Sequence, residues 1–225
     1  MSSQPKQGQL PTVTPHLESN MKTITSSPAN LAQQAHHIAY FRSIPWCASL
    51  LDHPDIVISQ SVSRVIRPLH NMEDALISQT LNRTDAIPAY ITFYSPPSPS
   101  SGALVKEVSS LIALGPMVNG WDGICHGGIV MTLLDEVMGQ LFAVNKQRKV
   151  MKKEPLLTGW LKTKFLKPVY TGTKERANVV LVVAKLTEVE GRKHATEAVV
   201  YGEDGTELAR ADAMFVQLRP KGSKL

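Results

Sequence analysis

Residues 119–145, NGWDGICHGGIVMTLLDEVMGQLFAVN, restrict the fold more than any other stretch of the chain. They read as a glycine-punctuated loop feeding a helix of about four turns. Ile129, Val130, Met131, Leu133, Leu134, Val137, Met138, Leu141, Phe142 and Val144 leave that helix almost no polar face. A helix apolar on nearly every side belongs inside a domain. Two carboxylates interrupt it and point in different directions. At about 100° per residue, Glu136 shares a small-to-polar stripe with Thr132, Gln140 and Ala143, so it is expected to look towards water. Asp135 falls instead with Gly128, Met131, Met138, Gly139 and Phe142. A carboxylate on that face needs partners or a chemical task, because burying an unpaired charge is costly.

The helix start supplies a second group. His126-Gly127-Gly128 places two residues without side chains where a helix leaves free N–H groups and a partial positive charge. Unshielded donors of this kind suit a developing oxyanion. Gly127 and Asp135 are nonetheless eight residues apart, about 12 Å along a helix. A reacting carbonyl must lie about 3 Å from its donors and near its base or nucleophile. Two such groups acting on one atom must come from different subunits, which predicts an obligate dimer with composite sites.

The run CHGGIVMTLLDEVMG resembles the signature of the hot-dog-fold acyl-CoA thioesterases, in which HGG precedes a helix carrying a catalytic acid. TGWLKTKFLKPV (158–169) is similar to the family's first strand after the helix, EGRK (190–193) to a hairpin and LARADAMFVQL to the last strand. The resemblance covers roughly residues 73–218, and its specific part is the HGG-to-Asp spacing. It implies that Asp135 acts as general base on water or as nucleophile on the thioester carbonyl. It implies that Gly127 polarises the thioester oxygen through its N–H, with Gly128 allowing close approach and His126 shaping the site. Asn119 is similar to a polar residue preceding HGG. Thr158 stands where the family places a hydroxyl that holds the water or the acid. Arg192 and Lys193 are candidate partners for CoA phosphates, and Met131, Met138 and Phe142 for the acyl chain. The resemblance implies no metal and no cofactor beyond the coenzyme A of the substrate.

Composition is compatible with this reading. Lys and Arg total 24 against 19 Asp and Glu, a mild excess that suits an anionic ligand and is too dispersed for nucleic acid. Two cysteines, Cys47 and Cys125, make neither a disulfide framework nor a zinc site. The polar N-terminus is not a secretory signal, and no uninterrupted apolar run reaches membrane-span length. The sequence ends on Ser223-Lys224-Leu225, which resembles the peroxisomal address SKL and implies an import receptor as partner.

Along the chain, residues 1–27 lack periodicity and are expected to form a flexible arm. Residues 28–72 form a helical extension: apolar spacing marks one helix from Pro28, and Pro45 opens a second, short one. Residues 56–71 alternate only weakly. Within a main domain at 73–219, strands are expected at 75–81, 86–94 and 106–114 before the central helix, which ends near Asn145. Strands at 156–165, 177–189, 194–201 and 207–218 follow, with Gly191 and Asp204-Gly205 as turns. Residues 220–225 form a tail. One long helix followed by antiparallel strands fits an α+β sheet wrapped around one central helix, with N-terminal helices added, and the resemblance implies that this is the hot-dog fold.

The first reading is therefore a thioesterase releasing free acid and CoA. A second is a hot-dog enoyl-thioester hydratase or dehydratase, for which Asp122 and His126 are the nearest Asp/His pair. A third is an acyl-CoA-binding module that kept the fold without the chemistry.

Overall fold

The computed structural model describes residues 27–68, 72–173 and 175–220. The expected arm at 1–27 thus lies almost wholly outside the described residues, as do Ser223, Lys224 and Leu225. The fold is α+β: a seven-stranded antiparallel sheet curls around one long helix, and two N-terminal helices lie on its back.

The N-terminal pair is α1 (Pro28–Arg42) and α2 (Pro45–Leu51). Ser27 caps α1, its Oγ accepting from Asn30 N–H at 3.3 Å, and proline opens both helices where a missing N–H costs no bond. The strands are β1 (Val57–Ser59), β2 (Tyr90–Tyr94), β3 (Glu107–Leu114), β4 (Asn119–Trp121), β5 (Ile124–Cys125), β6 (Leu156–Phe165), β7 (Asn178–Glu190), β8 (Lys193–Tyr201) and β9 (Glu207–Gln217). The large sheet runs β1-β2-β3-β7-β8-β9-β6, and β4 and β5 form a separate small hairpin. The central helix, α3 (Gly127–Gln147), joins β5 to β6.

Period-two alternation in the strands assigns their side chains to two cores. Val108, Ile112 and Leu114 of β3 and Val180, Val182 and Ala184 of β7 face α3. Leu111, Ala113 and Val179 face the opposite way, against Phe41, Cys47 and Leu51 of the N-terminal helices. α3 is long and apolar enough by composition to cross a membrane, yet Val130, Leu133, Leu134, Val137, Met138 and Leu141 are buried against the sheet.

Several sequence expectations require correction. Residues 75–81 are not a strand: Leu76–Thr80 make one wide helical turn, closed by Leu81 N–H to Leu76 C=O at 2.9 Å. Its buried apolar residues, Ile77 and Leu81, are four apart, and so short an apolar run fits a helix or a strand equally well. The strand expected from residue 86 begins only at Tyr90. Pro88 has no N–H for a ladder, and Ile87 N–H goes to Leu81 C=O at 3.0 Å. α3 spans 21 residues, nearly six turns rather than four. β1 lies in the weakly alternating stretch for which no element was expected; it pairs with β2, so the N-terminal extension contributes a strand to the main sheet. Glu136 is half-buried rather than fully out in water, for reasons given below.

Candidate active site

The loop entering α3 is drawn tight by backbone bonds from flanking elements. His126 N–H donates to Val118 C=O (2.8 Å), and Cys125 N–H to Val169 C=O (2.8 Å). Gly120 has no alternative, since a Cβ there would lie 2.8 Å from His126 Cα. Asn119 opens β4 with its Oδ1 accepting from Thr171 Oγ, so its side chain anchors the loop.

His126 is the N-cap of α3, a role not foreseen from its sequence. Its Nδ1 accepts from Gly128 N–H at 3.0 Å, and its C=O accepts from Ile129 and Val130. Three of the first-turn donors are thereby satisfied. The fourth, Gly127 N–H, has no acceptor among the described residues. The Phe165 ring stands beside Gly127, at contact distance (3.4 Å) from an ideal Cβ there. A single unsatisfied donor at the positive end of a long helix, beside an aromatic wall, fits an incoming oxyanion.

Asp135 lies two turns on. It is half-buried, and its Oδ1 accepts from Thr158 Oγ at 2.8 Å. Thr158 sits in β6 immediately before a bulge at Gly159, where the β6–β9 register shifts. Thr158 thus orients one carboxylate oxygen. Along the helix beyond Asp135, a Cβ added to Gly139 would meet nothing within 4 Å, so this face is open. Met131, one turn before Asp135, is half-buried on the same side.

The other two proposed acyl contacts are placed differently. Met138 is fully buried with Thr196 Oγ 3.0 Å from its sulfur, and Phe142 packs edge-on against Phe215 and His194. Both belong to the core, which corrects the expectation that they border an acyl channel. Arg192 and Lys193 sit on the β7–β8 hairpin. Lys193 pairs with Val216, which pairs with Leu157, so the hairpin lies two strand spacings, about 10 Å, from the start of β6. Arg192 Nη1 donates to Gln217 C=O at 2.9 Å, committing part of its guanidinium to holding the hairpin down.

Electrostatics narrow the chemistry. Burial pushes the Cys125 thiol up to about 12, so the cysteine beside His126 is a neutral packing group and not a thiolate nucleophile. Burial also raises Glu136 to about 7, with smaller contributions from the charges of Asp74 and Asp135. Residues 61–64 cross the stripe of α3 that had been expected to face water, and Val62 N–H donates to Gln140 Oε1 at 3.0 Å. Arg64, in the same segment, is fully buried with its guanidinium donating to Ile77 C=O (3.2 Å) and Ile87 C=O (2.8 Å). No periodicity around Arg64 distinguishes it from a surface arginine.

A long helix enclosed by a curled antiparallel sheet is the arrangement of the hot-dog fold. The sequence pattern of the thioesterase superfamily matches residues 122–209. Verlamelin biosynthesis protein B of a Lecanicillium species is 31% identical over 174 residues, 65% of this chain and 73% of that protein. The acyl-coenzyme A thioesterase THEM4 of Xenopus laevis is 25% identical over 156 residues, 69% of this chain and 62% of that protein. Among solved structures, a Bacillus halodurans protein crystallised with CoA is 30% identical, with 51% of this chain and 68% of that chain covered at a TM-score of 0.41. The chain belongs to the thioesterase superfamily and has its hot-dog fold.

Proposed function

We propose that the protein hydrolyses acyl-CoA thioesters to free acid and CoA, with each site assembled from two subunits. The supporting observation is the separation of two half-sites. Asp135 is held by Thr158 at the β6 edge, while the unpartnered Gly127 N–H lies eight residues away in the same rigid helix. An antiparallel second copy would bring the acid of one helix to the amide of the other. β6 suits such pairing: it is a ten-residue edge strand bonded only to β9, with Leu157, Trp160 and Phe165 all more than half exposed. A long apolar edge of this kind invites a further strand.

In this reading Gly127 N–H of the partner donates a hydrogen bond to the thioester oxygen as that oxygen gains negative charge. Asp135 takes a proton from the attacking water, the tetrahedral intermediate expels the thiolate, and the proton passes to sulfur. Direct attack by Asp135 would instead form a mixed anhydride that water then cleaves. The acyl chain follows the open stripe beside Met131 and Gly139. CoA phosphates lie towards Lys193 and the remaining donors of Arg192, in keeping with the net charge of +5. No observation favours the hydratase reading.

The test is thiol release across short, long, branched and aromatic CoA esters. Turnover of at least one class is expected. Asp135→Asn is expected to lower it by about 10³-fold or more while the oligomer persists. Unchanged hydrolysis by that variant would overturn the proposal. Peroxisomal delivery through Ser223-Lys224-Leu225 is proposed alongside it; a tagged chain should move to the cytosol when Leu225 is deleted.

A further inference from the structure

Where α1 turns into α2, the corner at Ile44 and Trp46 meets the loop that leads into β7. A cavity of about 260 Å³ lies in this seam. Ile44, Trp46 and Val179 give it an apolar side, and Arg176 and Glu203 give it two charges of opposite sign. The proposed chemistry uses none of these residues.

The Arg176 side of the cavity is tightly built. A Cβ at Gly172 would collide with Arg176 C=O, so only glycine fits there. Thr173 N–H donates to Arg176 C=O (2.9 Å), and Thr173 Oγ accepts from Arg176 N–H (3.2 Å). This turn fixes the point from which the Arg176 side chain leaves the backbone. Its guanidinium nonetheless has no hydrogen bond or ion pair among the described residues, and neither has the Glu203 carboxylate, in the turn between β8 and β9. Both charges are felt at the N-terminal helices. Burial raises the Tyr40 hydroxyl of α1, and the Arg176 charge opposes that rise. Burial pushes the Cys47 thiol of α2 up to about 12, and the Glu203 charge adds to it.

The geometry points to a binding site for a small zwitterion, an α-amino acid with an apolar side chain. Its carboxylate would meet the Arg176 fork, its ammonium Glu203, and its side chain Ile44 and Trp46. Glu203 disfavours a simple carboxylic acid or a CoA phosphate, and Arg176 disfavours a simple amine; a molecule carrying both charges satisfies both residues. The volume falls below the roughly 300–1,000 Å³ of drug-sized sites, which suits a body of amino-acid size. Both ion pairs are exposed and individually weak, so a dissociation constant of about 0.1–1 mM is expected. The site does not depend on the thioesterase reading, but it is tied to the loop that presents Gly127. Thr171, which also lines the cavity, donates its N–H to Gly123 C=O (3.0 Å) and its hydroxyl to Asn119 Oδ1, and Cys125 N–H donates to Val169 C=O (2.8 Å). A ligand that binds only the closed cavity therefore opposes opening of these bonds.

The experiment titrates the full chain with L-phenylalanine and L-leucine by calorimetry. Two analogues accompany them: 3-phenylpropionate, which lacks the ammonium, and 2-phenylethylamine, which lacks the carboxylate. Saturable binding of at least one amino acid is expected, with each analogue weaker than L-phenylalanine by about fivefold or more. Arg176→Ala should weaken amino-acid binding by a similar factor. Glu203→Gln should also weaken it yet strengthen 3-phenylpropionate, a reversal that lost folding cannot produce. At about ten times the dissociation constant, amide exchange at Thr171 and Cys125 should slow by about tenfold in wild type, and far less in Arg176→Ala at the same ligand concentration. No saturation by either amino acid up to about 10 mM, or equal binding by wild type and both variants, would overturn the site. Binding that leaves exchange at Thr171 and Cys125 unchanged would overturn its tie to the loop.

Discussion

The two halves of the sheet are built to different rules. In β2, β3 and the first half of β7, both faces are covered: α3 packs on one and α1–α2 on the other. Leu111, Ile112, Ala113 and Leu114 are all fully buried in succession, so this half reads as a continuous apolar run. In β8, β9 and β6, only the face towards α3 is covered. Ala198, Val200, Ala209, Ala211 and Phe215 are buried, while Glu197, Arg210 and Asp212 between them are exposed. The covered half ends at β1, only three residues long; the other ends at β6, ten residues long and more than half exposed at Leu157, Trp160 and Phe165. Thr158, which holds Asp135, lies on that second edge. The N-terminal helices thus close the half of the sheet away from the site, and the half bearing the site is left available to a partner.

Substitutions on the two sides should separate stability from chemistry. Leu111→Ala, in the closed half, should cost about 3 kcal/mol of unfolding free energy, read by urea titration, with kcat of the folded fraction unchanged. Trp160→Lys, on the open edge, should leave the protomer folded but shift its mass in solution towards a monomer and abolish most turnover. A stable, fully active Trp160→Lys dimer would place the interface elsewhere. Thr158→Val should be milder: loss of the bond that orients Asp135 should lower kcat by about tenfold with little change in KM or in melting temperature.

The sequence revealed most where a single physical signal dominated. The unbroken apolar face of α3, the β-branched run of β7 and the Asp204-Gly205 turn led to the correct elements. Asp135 stood out for a related reason: an acid on an apolar helical stripe is conspicuous. Its contact with Thr158 was foreseen only through resemblance to the thioesterases. Residues 75–81 form a helical turn rather than the expected strand because seven residues with only two buried apolar positions, Ile77 and Leu81, suit either. Glu136 was misread for a different reason: helical periodicity gives the direction of a side chain, not what another segment lays over it. The roof over Glu136 is held by Gln140, 78 residues from Val62, a contact with no local signature. Met138 and Phe142 share the angular sector of Asp135 on the helix, but the curled sheet covers that sector further along, so they became core.

The composite site is the central claim, and mixing two inactive variants tests it most directly. Gly127→Pro removes one N–H at the first helical position, where proline is tolerated, and His126 already has the extended backbone that precedes proline well. Alone it should lose about 10²-fold in thiol release, and Asp135→Asn more. Mixed and re-associated in equal amounts, half the dimers are hybrid, and each hybrid contains one site with both groups intact, so about a quarter of wild-type activity should return. A mixture in which hybrid dimers form but thiol release stays at the level of the separate variants would contradict a site shared between subunits.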